Sequence, residues 1–395
     1  MVGRYDMNIL HIHSDYPDGR NDQSTPAVKS LLDATSGISN TVFVIHRTPW
    51  PWLVRVIPHN PTLYSVYYWG LPFGLALTLS LFFARHLLFN LIKKQQVKYQ
   101  LIHGHKLAID GTLGAAIANK IGIPYFLSVR GGTDVRILQR KFFLRSRWKK
   151  VLEEAEHIFW VSSWAKNPIK KMLKSTFNTS TAQSSLLPNP CEMSQLADIS
   201  KHNRAAHFVT VFRFEQYERK GIMPLLEAIA RLRVVYPDIK LDIYGSGPEK
   251  KIKIVQDKID ALSLNERVSI KGCIDNTQLQ YKLKQYAAFL LPSKNESFGM
   301  VFVEALFSGL PILYHANTGI DGYLDDIDVG IKVRNQDIDE LENKVEELIV
   351  RHDFFQNRIR CALETHALDI FEKKTVVNHY QSLVDGLNLE YRNAK

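Results

Sequence analysis

The sequence predicts an α/β protein of two doubly wound domains, each built on a parallel sheet that is covered by helices on both faces. Three observations predict this class. The chain has 395 residues, which exceeds the length at which one hydrophobic core keeps growing. Short apolar, β-rich runs alternate with helical patterns, as in βαβ units. The alternation stops near residue 195 and restarts near residue 207, as expected for a second domain.

Ten runs have the composition of buried strands. Those in the first half are Asn8–His13, Thr41–His46, Gln100–His105, Pro124–Arg130 and His157–Ser163. Those in the second half are Phe208–Phe214, Lys240–Tyr244, Val268–Lys271, Phe289–Pro292 and Pro311–Tyr314. Ligands of such sheets bind beyond the carboxyl ends of the strands, so the residues that follow each strand are the candidates for chemistry.

The segment Gln195–Ala206 is polar and has no strand pattern, so it is predicted to be the linker between the domains. The first domain then covers residues 1–198 and the second covers residues 207–371. A last helical pattern, Phe371–Leu389, has no strand after it. We expect residues 372–395 to pack back on the first domain.

Apolar residues make up 45% of the chain and charged residues 23%, as in an ordinary soluble protein. Three cysteines, Cys191, Cys273 and Cys361, lie far apart without metal-ligand spacing, which favours reduced thiols. The first residues lack the apolar core of a signal peptide, so a cytoplasmic location is expected.

The net charge of +10 is unevenly distributed along the chain. Residues 1–200 hold 23 Lys and Arg against 12 Asp and Glu, a net +11, whereas residues 201–395 hold 27 against 28, a net −1. This asymmetry indicates an anionic partner for the first half only: a membrane surface, a phosphorylated acceptor or nucleic acid.

The richest stretch for chemistry is residues 290–313. A buried strand ends at Pro292, Glu296 lies in the following loop, and a helix is predicted from Gly299 to Ser308 with Glu304 on it. The start of that helix offers unpaired backbone N–H groups for a phosphate or a sugar oxygen. These N–H groups belong to Phe298, Gly299, Met300 and Val301.

Ionised carboxylates beside such a helix start accept hydrogen bonds from neighbouring hydroxyl groups. A ligand with sugar hydroxyls at one end, phosphates in the middle and ribose hydroxyls at the other matches this arrangement, and a nucleotide sugar is such a ligand. The alternative is a solvated loop with two surface glutamates.

Two cations precede this stretch. Arg213 ends the first strand of the second domain, and Lys220 stands just before Gly221 and the next helix. Such cations at a sheet edge can neutralise a diphosphate without a metal ion. No Asp-x-Asp motif and no histidine cluster is positioned for a divalent ion, so no metal and no cofactor is expected. A glycine turn, Gly245-Ser246-Gly247-Pro248, follows the next strand.

Together these residues resemble the donor half of the retaining glycosyltransferases of family 4, which have the GT-B fold. Three motifs match in order and spacing over residues 207–330. They are Arg213 with Lys220-Gly221, the Gly-x-Gly-Pro turn, and two glutamates separated by seven residues, Glu296 and Glu304, with Ser297-Phe298-Gly299 between them. The resemblance implies two Rossmann-like domains facing a central cleft.

The resemblance also implies roles for the residues of the second domain. Arg213 and Lys220 would hold the diphosphate of a UDP- or GDP-linked sugar, and Glu304 would bind the ribose hydroxyls. Glu296 and the amides of Phe298 to Val301 would hold the transferred sugar. Gly245 and the segment Lys271–Ile274, with Cys273, would border the nucleotide.

The first domain matches the family more loosely. His103-Gly104-His105 resembles the family's His-x-His stretch, and Asp110-Gly111 follows it. Tyr16-Pro17-Asp18-Gly19 replaces the usual glycine-rich loop, and Arg130-Gly131 replaces the common His-Gly. Among these residues, His105 and Arg130 are candidates for the catalytic site and Gly19 for the donor site.

Two further segments of the first domain indicate contact with a membrane. Residues 63–83 carry no formal charge and are predicted to form a buried or interfacial helix rather than a transmembrane one. Residues 136–150 interleave cations with Phe142, Phe143, Leu144 and Trp148, which is typical of a basic helix on an anionic bilayer. A second basic group comprises Lys166, Lys170, Lys171 and Lys174. A solvated basic face is the alternative for both groups.

The favoured hypothesis is therefore a hexosyltransferase on the inner face of a membrane that acts on a saccharide or lipid-linked acceptor in polysaccharide or lipopolysaccharide synthesis. A nucleotide-sugar epimerase of the same fold and a non-catalytic nucleotide-sugar-binding scaffold are alternatives. Nucleic acid is not expected as a partner, because no recognition motif is present. Nothing in the sequence predicts an oligomeric state.

Overall fold

A computed structural model describes residues 7–19, 26–174, 183–192 and 206–393 of the chain. The chain divides into two compact units. Unit 1 comprises Met1–Pro190 and Lys373–Lys395, and unit 2 comprises Cys191–Glu372. The predicted linker lies outside the described residues, apart from its last residue, Ala206.

The sheet of unit 1 has the order β3-β4-β2-β1-β5-β6-β7-β8 in the described residues. Its strands are β1 Met7–His13, β2 Ile38–Thr48, β3 Arg55–Asn60, β4 Leu63–Trp69, β5 Leu101–Gly104, β6 Tyr125–Val129, β7 His157–Trp160 and β8 Gln183–Leu186. All neighbours in this sheet pair in parallel except β3, which runs antiparallel to β4. Its helices include α1 Pro26–Asp33, α2 Leu77–Gln95, α3 Thr112–Ile121, α4 Gly132–Arg140, α5 Arg145–Glu153 and α6 Lys166–Leu173.

The sheet of unit 2 is parallel throughout and has the order β11-β10-β9-β12-β13-β14. Its strands are β9 His207–Val211, β10 Lys240–Tyr244, β11 Val268–Gly272, β12 Ala288–Leu291, β13 Ile312–His315 and β14 Gly330–Val333. Its helices are α7 Ile222–Leu232, α8 Glu249–Ala261, α9 Asn276–Leu283, α10 Met300–Phe307, α11 Ile338–Val350 and α12 His352–Glu364. The last helix of the chain, α13 Lys373–Asn393, belongs to unit 1.

Hydrophobic patterning explains how the helices cover these sheets. In α7, Ile222, Leu225, Leu226 and Ile229 recur at helical spacing and are fully buried. In α13, Val376, Tyr380 and Val384 pack in one cluster with strand residues of unit 1 such as Ile9 and Phe126. The predicted class, α/β with two parallel-sheet units, is confirmed.

The prediction of one helix over residues 63–83 was wrong in its first part. Residues Leu63–Trp69 form β4, which pairs in parallel with β2, and the helix begins only at Leu77. Alternate side chains of LYSVYYW are large and β-prone, so this segment fits a sheet, and Pro72 with Gly74 separates it from α2. None of the described helices combines the length and apolar character needed to cross a membrane.

The basic stretch 136–150 is not one amphipathic helix either. It comprises the end of α4, a short 3-10 turn at Phe142–Leu144 and the beginning of α5. Phe142 and Phe143 are exposed. Trp148 is buried instead and donates its indole N–H to the Ala108 carbonyl oxygen at 3.2 Å, so it is a core residue.

Candidate functional site

Three neighbouring strands of unit 2 bring most of the predicted donor residues to one edge of the sheet. Strand β9 lies between β10 and β12, and all three run in the same direction. Arg213 follows β9, Gly245 follows β10, and the loop that carries Glu296 follows β12. The carboxyl ends of parallel strands meet at one edge, which is where ligands of open α/β sheets bind.

Lys220 and Glu296 form an ion pair at this edge. Lys220 Nζ lies 2.5 Å from Glu296 Oε2, and both side chains are largely buried. The Ser293 hydroxyl donates to the same carboxylate oxygen at 3.1 Å. Burial acts to raise the pKa of Glu296, but the attraction of Lys220, helped by Arg219 and Ser293, outweighs it and holds the pKa below its usual value. Glu296 is therefore an ionised acceptor for hydrogen bonds.

The loops after β9 and β12 are fastened to each other around this pair. The Arg219 guanidinium donates to the Asn295 carbonyl oxygen at 2.8 Å, and the Lys294 amide donates to the Arg219 carbonyl oxygen at 3.0 Å. The Gln336 side-chain amide donates to the Pro292 carbonyl oxygen. These bonds hold the Lys220 ammonium and the Glu296 carboxylate in fixed positions, as a preorganised binding site requires.

The predicted helix start is present. Helix α10 begins at Met300 after Gly299, whose φ of 79° lies in the left-handed region that favours glycine. The Phe298 side chain is buried against the rings of Tyr323 and Phe371, so only its backbone is available to a ligand. Glu304 lies one turn into α10, half-buried, and burial raises its pKa.

Gly245 permits a close backbone approach between β9 and β10. A Cβ atom there would lie 1.8 Å from the Phe212 carbonyl oxygen, a distance that no side chain tolerates. The Gly245 amide donates to the Gly272 carbonyl oxygen at 2.8 Å, so the turn after β10 is joined to the end of β11. Cys273 follows there and is exposed. Arg213 is exposed as well.

Unit 1 has its own polar cluster beyond the ends of β1, β5 and β6. Its members are His13, His105, Asp110 and Arg130. Each has one buried atom that makes no hydrogen bond within the described part of the chain: His13 Nε2, His105 Nδ1, Asp110 Oδ1 and Arg130 Nε. The rings of His13 and His105 lie 5.0 Å apart. Buried polar atoms without partners are rare in folded proteins, so this cluster is suited to a polar ligand.

The carboxyl group of Asp110 in this cluster and that of its neighbour Asp134 are both buried. Burial raises the pKa of Asp110 to about 7 and that of Asp134 to about 6. Asp134 Oδ2 accepts from the Arg130 amide at 3.1 Å, and the Arg130 guanidinium donates to Asn189 Oδ1 at 3.2 Å. Burial also lowers the pKa of Arg130. Asp134 and Asn189, on two separate segments, thus position Arg130.

The raised pKa of Asp110 predicts a pH-dependent stability. A carboxyl group whose pKa is raised by folding contributes stability below its unfolded pKa, near 3.8, and loses that contribution as the pH rises through about 7. The slope for one such group is at most about 1.4 kcal/mol per pH unit. We expect Tm to fall more between pH 5 and pH 8.5 in the natural protein than in Asp110→Asn. Equal decreases in Tm for the two proteins would contradict the raised pKa of Asp110. The matched control is Asp257→Asn, at an exposed position.

A histidine cluster that the sequence analysis did not find lies beside this site. Ligand nitrogens of His11, His103 and His105 all lie within 4.8 Å of one another. His11 Nδ1 is 3.1 Å from His105 Nε2, and His103 bonds to the Ser128 and Tyr380 hydroxyls. Burial lowers the pKa of His11 to about 4 and holds the pKa values of His103 and His105 well below the usual value. The three rings therefore form a neutral hydrogen-bonded stack in which His11 and His103 already use both nitrogens.

The loop after β1 has a different character from a phosphate-binding loop. Asp18 is buried, and its carboxylate bonds to His46 Nε2 and to the Ser65 hydroxyl, each at 2.6 Å. The loop is thereby tied to β2 and β4. Gly19 is exposed with a φ of 87° and has open space around its Cα.

Comparison with known proteins agrees with this geometry. Residues 197–360 match the family model of the glycosyl transferases group 1. The match spans most of unit 2. The match covers the cations, the glycine turn and both glutamates described above.

Two relatives and one solved structure extend the comparison. An uncharacterised glycosyltransferase of Methanocaldococcus jannaschii is 25% identical over 263 residues, which cover 66% of this chain and 68% of the relative. The alpha-monoglucosyldiacylglycerol synthase of Acholeplasma laidlawii is 27% identical over 128 residues, which cover 32% of each chain. Anabaena HepE, solved in complex with UDP, has a TM-score of 0.65 at 16% identity and covers 96% of this chain and 100% of its own. The fold of the whole chain is therefore that of GT-B proteins.

Sequence reasoning missed the histidines of β1, although the sequence contains a signal for them. His11-Ile12-His13 on β1 and His103-Gly104-His105 on β5 repeat the same His-x-His pattern, and His11 pairs with His103 in register. Alternate residues of a strand share a face, so two such motifs on neighbouring strands place four rings together. Asn189 reaches the Arg130 guanidinium across 59 residues, a contact that no local pattern predicts. Asp134 lies only four residues after Arg130, so its contact with the Arg130 amide is local.

Proposed function

We propose that this protein is a retaining glycosyltransferase that moves a sugar from a UDP- or GDP-linked donor to a lipid-linked saccharide in the synthesis of a surface polysaccharide or lipopolysaccharide. The observation that carries the proposal is the buried Lys220–Glu296 pair, fixed between the loops after β9 and β12 at the edge of the sheet where α10 begins. It combines a cation for the diphosphate with an ionised acceptor for sugar hydroxyls.

The proposed roles follow from the charge and exposure of each group. Lys220 and Arg213 bind the diphosphate and stabilise the negative charge that develops on it as the sugar leaves. Glu296 binds hydroxyls of the transferred sugar, Glu304 binds the ribose hydroxyls, and the segment around Cys273 borders the base. The two cations take the part that a divalent metal ion plays in other transferases, so we expect transfer to continue in the presence of EDTA.

The reaction itself needs few protein groups. The bond between the anomeric carbon and the diphosphate oxygen breaks, and the acceptor oxygen bonds to the same face of that carbon. The acceptor proton passes to the departing diphosphate oxygen. His105 and Arg130 are proposed to bind polar groups of the reactants with their unpartnered nitrogens.

Charge and relatives support a lipid-linked acceptor at a membrane. The net charge of +11 in residues 1–200 favours an anionic surface, and we place the protein at the inner face of a membrane. The similarity to the alpha-monoglucosyldiacylglycerol synthase of Acholeplasma laidlawii supports an acceptor of lipid character.

The proposal is tested by incubating the full chain with a panel of UDP- and GDP-sugars and a membrane lipid extract, with and without EDTA, and analysing products by mass spectrometry. The expected product is one lipid whose mass increases by one sugar, from one donor, with the donor's anomeric configuration. Conversion of the donor to an epimer without acceptor would identify an epimerase instead. The absence of both transfer and hydrolysis with every donor would overturn the proposal.

Arg213 offers a test that protein stability does not complicate. Its side chain is exposed, so Arg213→Ala should leave Tm unchanged. Loss of a cation from the leaving diphosphate should lower kcat by about 100-fold, as for one oxyanion-hole donor. Arg267→Ala on the same unit is the control, and an Arg213→Ala enzyme with the kcat of the natural protein would remove Arg213 from the site.

A further inference from the structure

An apolar groove opens in unit 1. It has a volume of about 570 Å³ and lies between β4 and α2. The residues that line it are Pro51, Val54, Tyr68, Trp69, Leu79, Phe83 and Leu87. The volume is that of a typical ligand pocket, but the lining includes none of the charged groups that orient a polar metabolite. The groove is therefore suited to a hydrocarbon chain.

Large apolar side chains around the groove are exposed to an unusual degree. The exposed fraction is 73% for Trp52, 90% for Phe73 and 68% for Phe142. On the solvent side of α2, Leu79, Phe82 and Phe83 are also about half exposed. Contiguous apolar surface of this kind marks a site for a partner or a ligand rather than ordinary protein surface.

The segments that contribute to this surface contain cations but no Asp or Glu. Residues 34–109 contain seven Lys and Arg residues and no Asp or Glu. Residues 135–152 also contain seven Lys and Arg residues and no Asp or Glu. Arg47 and Lys141 converge on the turn between β4 and α2: a Cβ atom on Gly74 would lie 3.9 Å from Arg47 Nη1 and 3.7 Å from Lys141 Nζ. Within the described residues, neither of these cations forms a salt bridge to a carboxylate.

This charge decides which occupant fits the groove. A second copy of the chain would bring an equally basic, acid-free surface against it, so self-association through this face is opposed. A single hydrocarbon chain with a phosphate or diphosphate headgroup complements both the apolar groove and the cations beside it.

We infer that this groove binds the hydrocarbon chain of a single-chain prenyl diphosphate lipid, with Arg47 and Lys141 at its diphosphate. The inference rests on the proposed function, because it assigns a binding site to the lipid-linked acceptor. The groove holds the chain partly out of the bilayer, and the exposed aromatic residues around it rest in the membrane interface. The saccharide end of the lipid is then left free for transfer.

The test is isothermal titration of the full chain with farnesyl diphosphate and with inorganic diphosphate. Farnesyl diphosphate should bind at least tenfold more tightly, since each methylene removed from water contributes about fourfold in affinity. Phe83→Asp and Leu79→Asp, at half-exposed positions that tolerate substitution, should each weaken its binding about tenfold or more, because a carboxylate would have to be buried beside the chain. Val234→Asp, at an exposed apolar position of unit 2, is the matched control.

Further variants separate this site from the proposed donor site. Arg47→Ala and Lys141→Ala should weaken farnesyl diphosphate binding severalfold, whereas Arg213→Ala in unit 2 should not change it. Equal binding by Phe83→Asp and the natural protein, or loss of binding in Arg213→Ala alone, would overturn the groove as the site.

The two proposals can fail independently. If the protein transfers sugar but the groove variants bind farnesyl diphosphate as tightly as the natural protein does, the proposed function stands and the groove is rejected. Groove-dependent binding without any transfer leaves the lipid site intact and rejects the transferase function.

Discussion

Lys220→Ala should lower kcat/KM by about 10²–10³, which is the effect of removing one preorganised group that stabilises developing negative charge. Lys220 Nζ is held 2.5 Å from Glu296 Oε2 in a largely buried setting. A cation fixed in this way requires no rearrangement when charge develops on a diphosphate. Steady-state kinetics with the donor that the mass-spectrometric panel identifies will measure the loss.

The same substitution should also destabilise unit 2, because it leaves the Glu296 carboxylate buried without its cation. Breaking a buried ion pair on one side costs about 3–5 kcal/mol. The double variant Lys220→Met with Glu296→Gln removes both charges and should recover most of this loss while activity stays low. A double variant that regains stability without activity separates the chemical role from the structural one.

Lys253→Ala provides the control for a lysine of the same unit. Lys253 is exposed and pairs with Asp257 on the surface of α8, so neither stability nor activity should change measurably. If Lys220→Ala retained the kcat/KM of the natural protein, the proposal that Lys220 stabilises the departing diphosphate would be wrong.

Gly245→Ala should destabilise unit 2 by more than about 3 kcal/mol, the upper end of ordinary overpacking. The added Cβ would lie 1.8 Å from the Phe212 carbonyl oxygen, and backbone atoms of two paired strands cannot move apart without loss of their hydrogen bonds. Urea denaturation followed by fluorescence will measure the change, and the donor site should lose activity with the fold.

Gly272→Ala is the matched control on the neighbouring strand. Gly272 has a φ of 76° but open space around its Cα, so alanine there costs only the left-handed conformation, about 1 kcal/mol. A Gly245→Ala variant no less stable than Gly272→Ala would show that the close approach of the two strands is relieved at little cost.

Local patterns predicted much of this protein. The alternation of apolar runs and helical stretches predicted both sheets, because a strand buried on both faces must be apolar almost throughout. The helix from Met300 was predicted with its glycine start, since Gly299 adopts a backbone conformation that other residues avoid. The strands β3, β4, β8 and β14 were not predicted. β4 is an apolar aromatic run that patterns alone cannot distinguish from a helix, and β8 is short and polar.

The same distinction between local pattern and tertiary contact applies to the residues of the site. Arg213, Lys220, Gly245, Glu296 and Glu304 could be found because each lies at a fixed offset from a strand or a helix that the sequence already indicates. That Lys220 bonds directly to Glu296 was not predicted, since 76 residues separate them and only the pairing of β9 with β12 brings their loops together.

By itself the sequence determined the class of the fold, the edge of the second sheet where chemistry is expected, and the excess of positive charge in the first half. Each of these depends on composition or on spacing within one segment. Only the tertiary structure decided the neutral histidine stack, the buried carboxyls Asp110 and Asp134, and the apolar groove between β4 and α2. These depend on burial and on contacts between distant segments, and burial is a property of the folded chain rather than of any one stretch of it.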